Sequence, residues 1–146
     1  MSALTLAQAS TIVDKALELG RQKSFKPLTV AVLDVAGVLK AFKREDQGVA
    51  LLRADIAQAK AWGCLGMGVG ARRLSQMAEA RPHFMAALIE TSGGRMVPVL
   101  GGVLIRDAAG QVIGAVGVSG DTSENDEVAA VAGIKAAGLV ADSGEA

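Results

Sequence analysis

Leu6, Ile12, Val13, Ala16, Leu17 and Leu19 recur with helical period and predict an amphipathic helix running to about Lys23. Thr5-Leu6-Ala7-Gln8 has the spacing of a capping box, which marks its start. Lys26-Pro27 stops any continuation. The pattern then changes: Leu28 to Val35 and Val38 to Arg44 are strand-like runs separated by Ala36-Gly37, a hairpin with a short glycine-containing turn. Beyond Gln47-Gly48 the helical period returns through Leu51, Leu52, Ile56 and Ala59 to Trp62. Gly63, Gly66, Gly68 and Gly70 interrupt it, and a shorter helix is expected from Ala71 to Ala80. Pro82 is placed to open another helix, through about Glu90. Three strands are expected next, around Arg95-Met96-Val97, over Pro98 to Ile105, and over Gln111 to Val118, the last two joined by a turn at Asp107 to Gly110. A final helix is predicted from Thr122 or Ser123 to about Ala141, with Asp142 to Ala146 as a frayed tail.

This order predicts an α+β fold, with helices covering an antiparallel sheet. A parallel doubly wound sheet needs strict strand–helix alternation, which is missing. With 146 residues and no linker, repeat or low-complexity tract, residues 1–146 read as one domain.

Composition narrows the chemistry. The chain is 51% hydrophobic but only 3% aromatic, and it has no tyrosine, so Ala, Val, Leu, Ile and Met must build the core. Fifteen basic and fifteen acidic residues cancel, leaving no field to attract nucleic acid or an anionic membrane. No apolar window of roughly 18 residues suggests a membrane span. A single cysteine, Cys64, excludes an intrachain disulfide and fits a reducing compartment; with no basic leader visible, a cytoplasmic location is expected.

The segment from Gly110 to Glu127 carries the strongest local signal. Gly114 and Gly117 empty a strand of side chains, which marks close approach of another backbone or of a ligand. The strand breaks at Ser119-Gly120, and the following helix has Glu124, Asp126 and Glu127 near its start. Macrodipole complementarity explains those acids, and a closely spaced carboxylate pair can also divide into acid and base. Lys60 lies on an otherwise small and apolar helical face, where it either snorkels to solvent or presents an ammonium to a pocket. Arg44, followed by Glu45-Asp46, is a surface ion-pair partner or an anion clamp. Gly66-Met67-Gly68-Val69-Gly70 imitates a dinucleotide fingerprint but follows a helix instead of a strand, so it reads as a connector. His83 is the only histidine, which excludes a multi-histidine metal site within one chain. Ser119 has no histidine partner in its segment and does not read as a nucleophile.

Taken together, these segments resemble the GlcG/HbpS family, also called the haem-degrading family, which includes the C-terminal domain of PduO-type corrinoid adenosyltransferases. The matching pieces are Val30 to Gly37, Phe42 to Asp46, Asp55 to Ala61, Gly93-Gly94-Arg95, Gly101-Gly102-Val103, and Ile113 to Gly120 with Asp126-Glu127. The resemblance implies a profilin-like three-layer α/β/α domain with a five-stranded antiparallel sheet, assembled as a homo-oligomer from dimer to octamer. Carried over residue by residue, it implies pocket positions for Arg44, Asp46, Lys60, Gly101, Gly102, Ser119, Gly120, Asp126 and Glu127; Glu124 at the helix start is a further ligand-binding candidate, and Lys60, Asp126 and Glu127 are the catalytic candidates. Haem is the cofactor it raises, with His83 the candidate axial ligand and no other metal site implied. The chain departs from the common pattern at Asp34-Val35-Ala36-Gly37, Arg44-Glu45-Asp46 and Gly120-Asp121-Thr122.

The expected function is binding of a small ligand, either haem or a corrinoid or a small carboxylate, by an oligomer with pockets near subunit interfaces. The alternative is a cofactor-free isomerase or lyase acting by acid–base chemistry on a small oxygenated metabolite.

Overall fold

The computed structural model describes residues 3–47 and 50–145. Gly48, one of the predicted break residues, and Ala146 of the predicted tail lie outside the described residues. The chain opens with α1 (Leu6–Gln22), whose cap is the predicted one: the Thr5 side chain accepts from the Gln8 N–H, and the Gln8 side chain accepts from the Thr5 N–H. The hairpin follows as β1 (Thr29–Asp34) and β2 (Leu39–Arg44). Gly37, at φ 80°, supplies the left-handed residue its turn needs.

Next comes α2 (Leu52–Met67), which runs straight through Gly63 and Gly66 instead of stopping at Trp62. Both glycines serve packing: a methyl group at Gly63 would crowd Met96, and one at Gly66 would strike the Trp62 ring. The helix ends at Gly68, φ 72°, whose N–H donates to the Cys64 carbonyl at 2.8 Å. α3 (Ala71–Ala80) and α4 (Pro82–Thr91) follow, with Pro82 opening α4 as expected.

The last strands are β3 (Gly102–Arg106), β4 (Val112–Ser119) and, after α5 (Ser123–Ala136), β5 (Val140–Asp142). Three expectations fail here. Arg95–Val97 forms no strand, the strand expected from Pro98 begins only at Gly102, and α5 stops at Ala136, short of Ala141. Gly138, at φ 76°, turns the chain after α5 so that Val140–Asp142 can pair with β3. Nor is the tail frayed before Ala146: the Ser143 carbonyl accepts the Arg72 N–H at 3.1 Å, beside the uncapped start of α3.

The five strands form one antiparallel sheet in the order β2-β1-β4-β3-β5. α1 and α5 cover one face through a core of Ile12, Val13, Val30, Val32, Val116, Val118 and Ile134. α2 covers the other through Leu33, Ala61, Cys64, Leu104 and Ala115, with Leu74, Met85 and Met96 extending that layer toward α3 and α4. This is the α+β, three-layer arrangement expected.

Candidate functional site

Lys60 projects from the buried face of α2 toward the point where β3 begins. Gly101 and Gly102 make the opening there: a methyl group on Gly101 would meet Lys60 Nζ at 2.8 Å, and one on Gly102 would strike the Lys60 carbonyl. Through this opening Nζ donates to the Val118 carbonyl at 2.9 Å, just beyond the Val118 N–H to Gly101 carbonyl bond of the β3–β4 edge. The same ammonium meets Asp126 Oδ2 of α5 at 3.0 Å. Asp126 Oδ1 accepts the Asp121 N–H at 2.9 Å. Lys60 is 2% exposed and Asp126 1%. Burial is the largest influence on both, holding the lysine below and the aspartate above its ordinary pKa against the mutual attraction of the pair.

Beside this pair, Arg53 Nη1 of the first turn of α2 donates to Ser119 Oγ at 3.3 Å, and Ser119 is fully buried. Strand register sets Arg44, Thr29 and Ser119 in a row across β2, β1 and β4. The structure therefore unites Lys60, Asp126, Gly101, Gly102 and Ser119, and adds Arg53, which the sequence reading passed over.

Other predicted residues take no part in this cluster. Arg44 and Asp46 are exposed at the far end of β2. Glu127 instead forms a two-point pair with Arg72 of α3, at 2.7 and 3.2 Å. Glu124 and His83 are exposed in the first turns of α5 and α4. The glycine-emptied strand is filled from within: Gly114 lies against the Leu33 carbonyl, Gly117 against the Ala57 carbonyl of α2, and Gly120, just past the strand, against the Pro27 carbonyl. Among the described residues, no group of three or more His, Cys, Asp or Glu is placed to hold a metal.

A groove with open access lies elsewhere, between α2 and the β1–β2 hairpin. It has a volume of about 480 Å³, and Leu33, Leu39, Ala59 and Trp62 supply its apolar wall. Arg95 and Asp55 bring opposite charges to it. The Arg95 guanidinium stacks 4.1 Å from the Trp62 ring centroid, anchored by its Nε to the Ser92 carbonyl. No acid pairs with it among the described residues. Neither Lys60 nor Asp126 lines this groove. The Gly93-Gly94-Arg95 motif marked the segment in the sequence, but the meeting of Trp62 with a residue 33 positions later left no local signature.

A family model described as "Haem degrading protein HbpS-like" matches residues 4–135. The chain belongs to the HbpS-like family. Its fold is shared with solved structures of the same kind. The PduOC:heme complex is 25% identical, with a TM-score of 0.84 over 94% of this chain and 97% of that one. The Klebsiella pneumoniae protein ORFY is 27% identical, with a TM-score of 0.82 over 94% and 92%. HbpS itself, at 22% identity and a TM-score of 0.78 over 92% and 90%, shows the shared fold. No curated protein matches this HbpS-like chain. No helix among the described residues is long and apolar enough to cross a membrane.

Proposed function

We propose that this HbpS-like protein binds a flat, carboxylate-bearing small molecule in the groove between α2 and the hairpin. A tetrapyrrole is the class suggested by the heme held by the related PduOC. The observation that carries the reading is Arg95, stacked on Trp62 at the groove and free of any acid partner among the described residues. A planar ligand covering the indole would bring its carboxylate to a guanidinium already oriented, which lowers the ordering cost of binding.

The groove suits the ring and carboxylate edge of such a ligand but not its iron, since no imidazole, thioether or thiolate lines it. His83, exposed on α4, is the imidazole left for an iron. Buried Cys64 and paired Lys60 are spent within the fold. The alternative of an isomerase or lyase with Lys60 as proton carrier meets the same obstacle: Lys60 is 2% exposed and held from two sides.

Trp62 is the only tryptophan, so its fluorescence reports the groove directly. Haemin and metal-free protoporphyrin should both quench it, and Arg95→Ala should weaken both titrations about tenfold, as for loss of a charge-assisted hydrogen bond. Absence of quenching by either compound overturns the reading. A Soret band unchanged between wild type and His83→Ala removes His83 as the iron donor.

The expected homo-oligomer belongs to the same proposal. β2 is an open edge strand, and Phe42, Leu51 and Leu52 are exposed on or near it, the two leucines at 83% and 61%. Light scattering should give a mass above one chain that falls in Leu52→Asp.

A further inference from the structure

A second cavity of about 480 Å³ lies on the other side of the hairpin, enclosed by the end of β1, the start of β4 and the segment ahead of α1. Leu39 faces the Trp62 groove, and its neighbour Lys40 lines this cavity, as alternation along β2 requires. Leu4, Val35 and Ile113 form apolar walls. Leu4 and Ile113 are buried, whereas Val35, in the same lining, is 63% exposed.

The polar groups are unequal. Asp34 Oδ1 accepts the N–H groups of Ala36 and Val38 at 2.9 and 3.1 Å, so this acid closes the hairpin turn. Gln111, also in the lining, is neutral. Lys40 is half-buried, with no hydrogen bond or ion pair to any described residue. The cavity thus has an apolar interior, one uncommitted ammonium and an acid already engaged by the backbone. Its size falls within the range of small-molecule sites.

We infer that this cavity binds a short amphipathic carboxylate, its alkyl chain against Leu4, Val35 and Ile113 and its carboxylate on Lys40. The site is separate from the Trp62 groove and uses none of that groove's residues. Burying the chain removes Val35 from water, and the ammonium gains a carboxylate in direct contact, which no described residue gives it.

Calorimetric titration of the intact protein with octanoate, octylammonium and octanol tests this. Octanoate should bind at least tenfold more tightly than the other two, which share its chain but not its charge. Lys40→Glu should reverse the preference toward octylammonium, and Val35→Asp should weaken octanoate without unfolding the protein, since Val35 is exposed. Arg95→Ala should leave octanoate binding unchanged. Equal binding of the three probes, binding of none, or undiminished octanoate affinity in Lys40→Glu overturns the inference. Loss of octanoate binding in Arg95→Ala assigns the probe to the Trp62 groove and equally overturns it. Failure of porphyrin binding, in contrast, leaves these titrations untouched.

Discussion

Lys60 of α2 and Asp126 of α5 meet at 3.0 Å across the plane of the sheet, joining helices that pack on its opposite faces. Both side chains are almost wholly buried, and each has one further hydrogen bond, Lys60 to the Val118 carbonyl and Asp126 from the Asp121 N–H. Such a pair gains little over an apolar replacement, but either member alone is costly. Lys60→Met should therefore lose about 3–5 kcal/mol, and the double variant Lys60→Met/Asp126→Leu should recover much of it. Urea denaturation of these two variants and of Asp126→Leu alone measures the coupling; additive losses would show that the two groups do not support each other.

Gly117 and Gly93 separate two roles of glycine. Gly117 has an ordinary strand conformation, but a methyl group there would coincide with the Ala57 carbonyl and force α2 off the sheet. Gly93 has φ 73° and open space around it. Gly117→Ala should cost about 3 kcal/mol or more, the upper end of overpacking, and Gly93→Ala only about 1–2 kcal/mol from its left-handed backbone. Thermal melts that rank the two in reverse would contradict the close approach of α2.

Asp121 links the loop before β1 to the start of α5. Its Oδ2 accepts the Lys26 N–H at 2.6 Å, and its Oδ1 accepts from the Thr122 N–H at 2.8 Å and the Asn125 amide at 2.7 Å. The bond from Lys26, then that from Asn125, holds its carboxyl below the ordinary 3.8. The folded state therefore binds its proton less readily than the unfolded chain does. The stabilisation is complete above pH 3.8 and is lost as pH falls through the depressed value. Asp121→Ala should cost about 1–2 kcal/mol at pH 7, with the gap to wild type closing in denaturation curves as pH falls below 3.8.

Cys64 is fully buried, and burial pushes its thiol up to about 12. It should resist a thiol reagent at pH 8 in the native protein and react only as fast as the fold opens. Labelling much faster than global unfolding, followed by mass spectrometry, would show a local opening of α2.

Local signals carried much of the architecture. The Thr5–Gln8 box, the Ala36-Gly37 turn and Pro82 mark boundaries through interactions within a few residues of themselves, and the structure has them as expected. The failures share one cause. Gly63 and Gly66 look like helix breakers until Met96 and Trp62 occupy the space they leave, and Val140–Asp142 continues a helical pattern until β3 offers a strand to pair with. Gly117 of β4 and Gly120 just beyond it were equally ambiguous: close approach was legible, but not that its cause is the backbone of α2 at Gly117 and of the Pro27 turn at Gly120.

By itself, then, the sequence determined the HbpS-like family, the α+β class and most element boundaries, because periodicity, caps and turn chemistry act over a few neighbouring residues. Only the tertiary structure decided the partners. It gave Lys60 to Asp126, Glu127 to Arg72 and Arg95 to Trp62, and it left Lys40 with no partner among the described residues. A side chain's charge is written in the chain, but whether that charge is spent inside the fold or offered to a ligand depends on which distant segments the core brings within hydrogen-bonding distance.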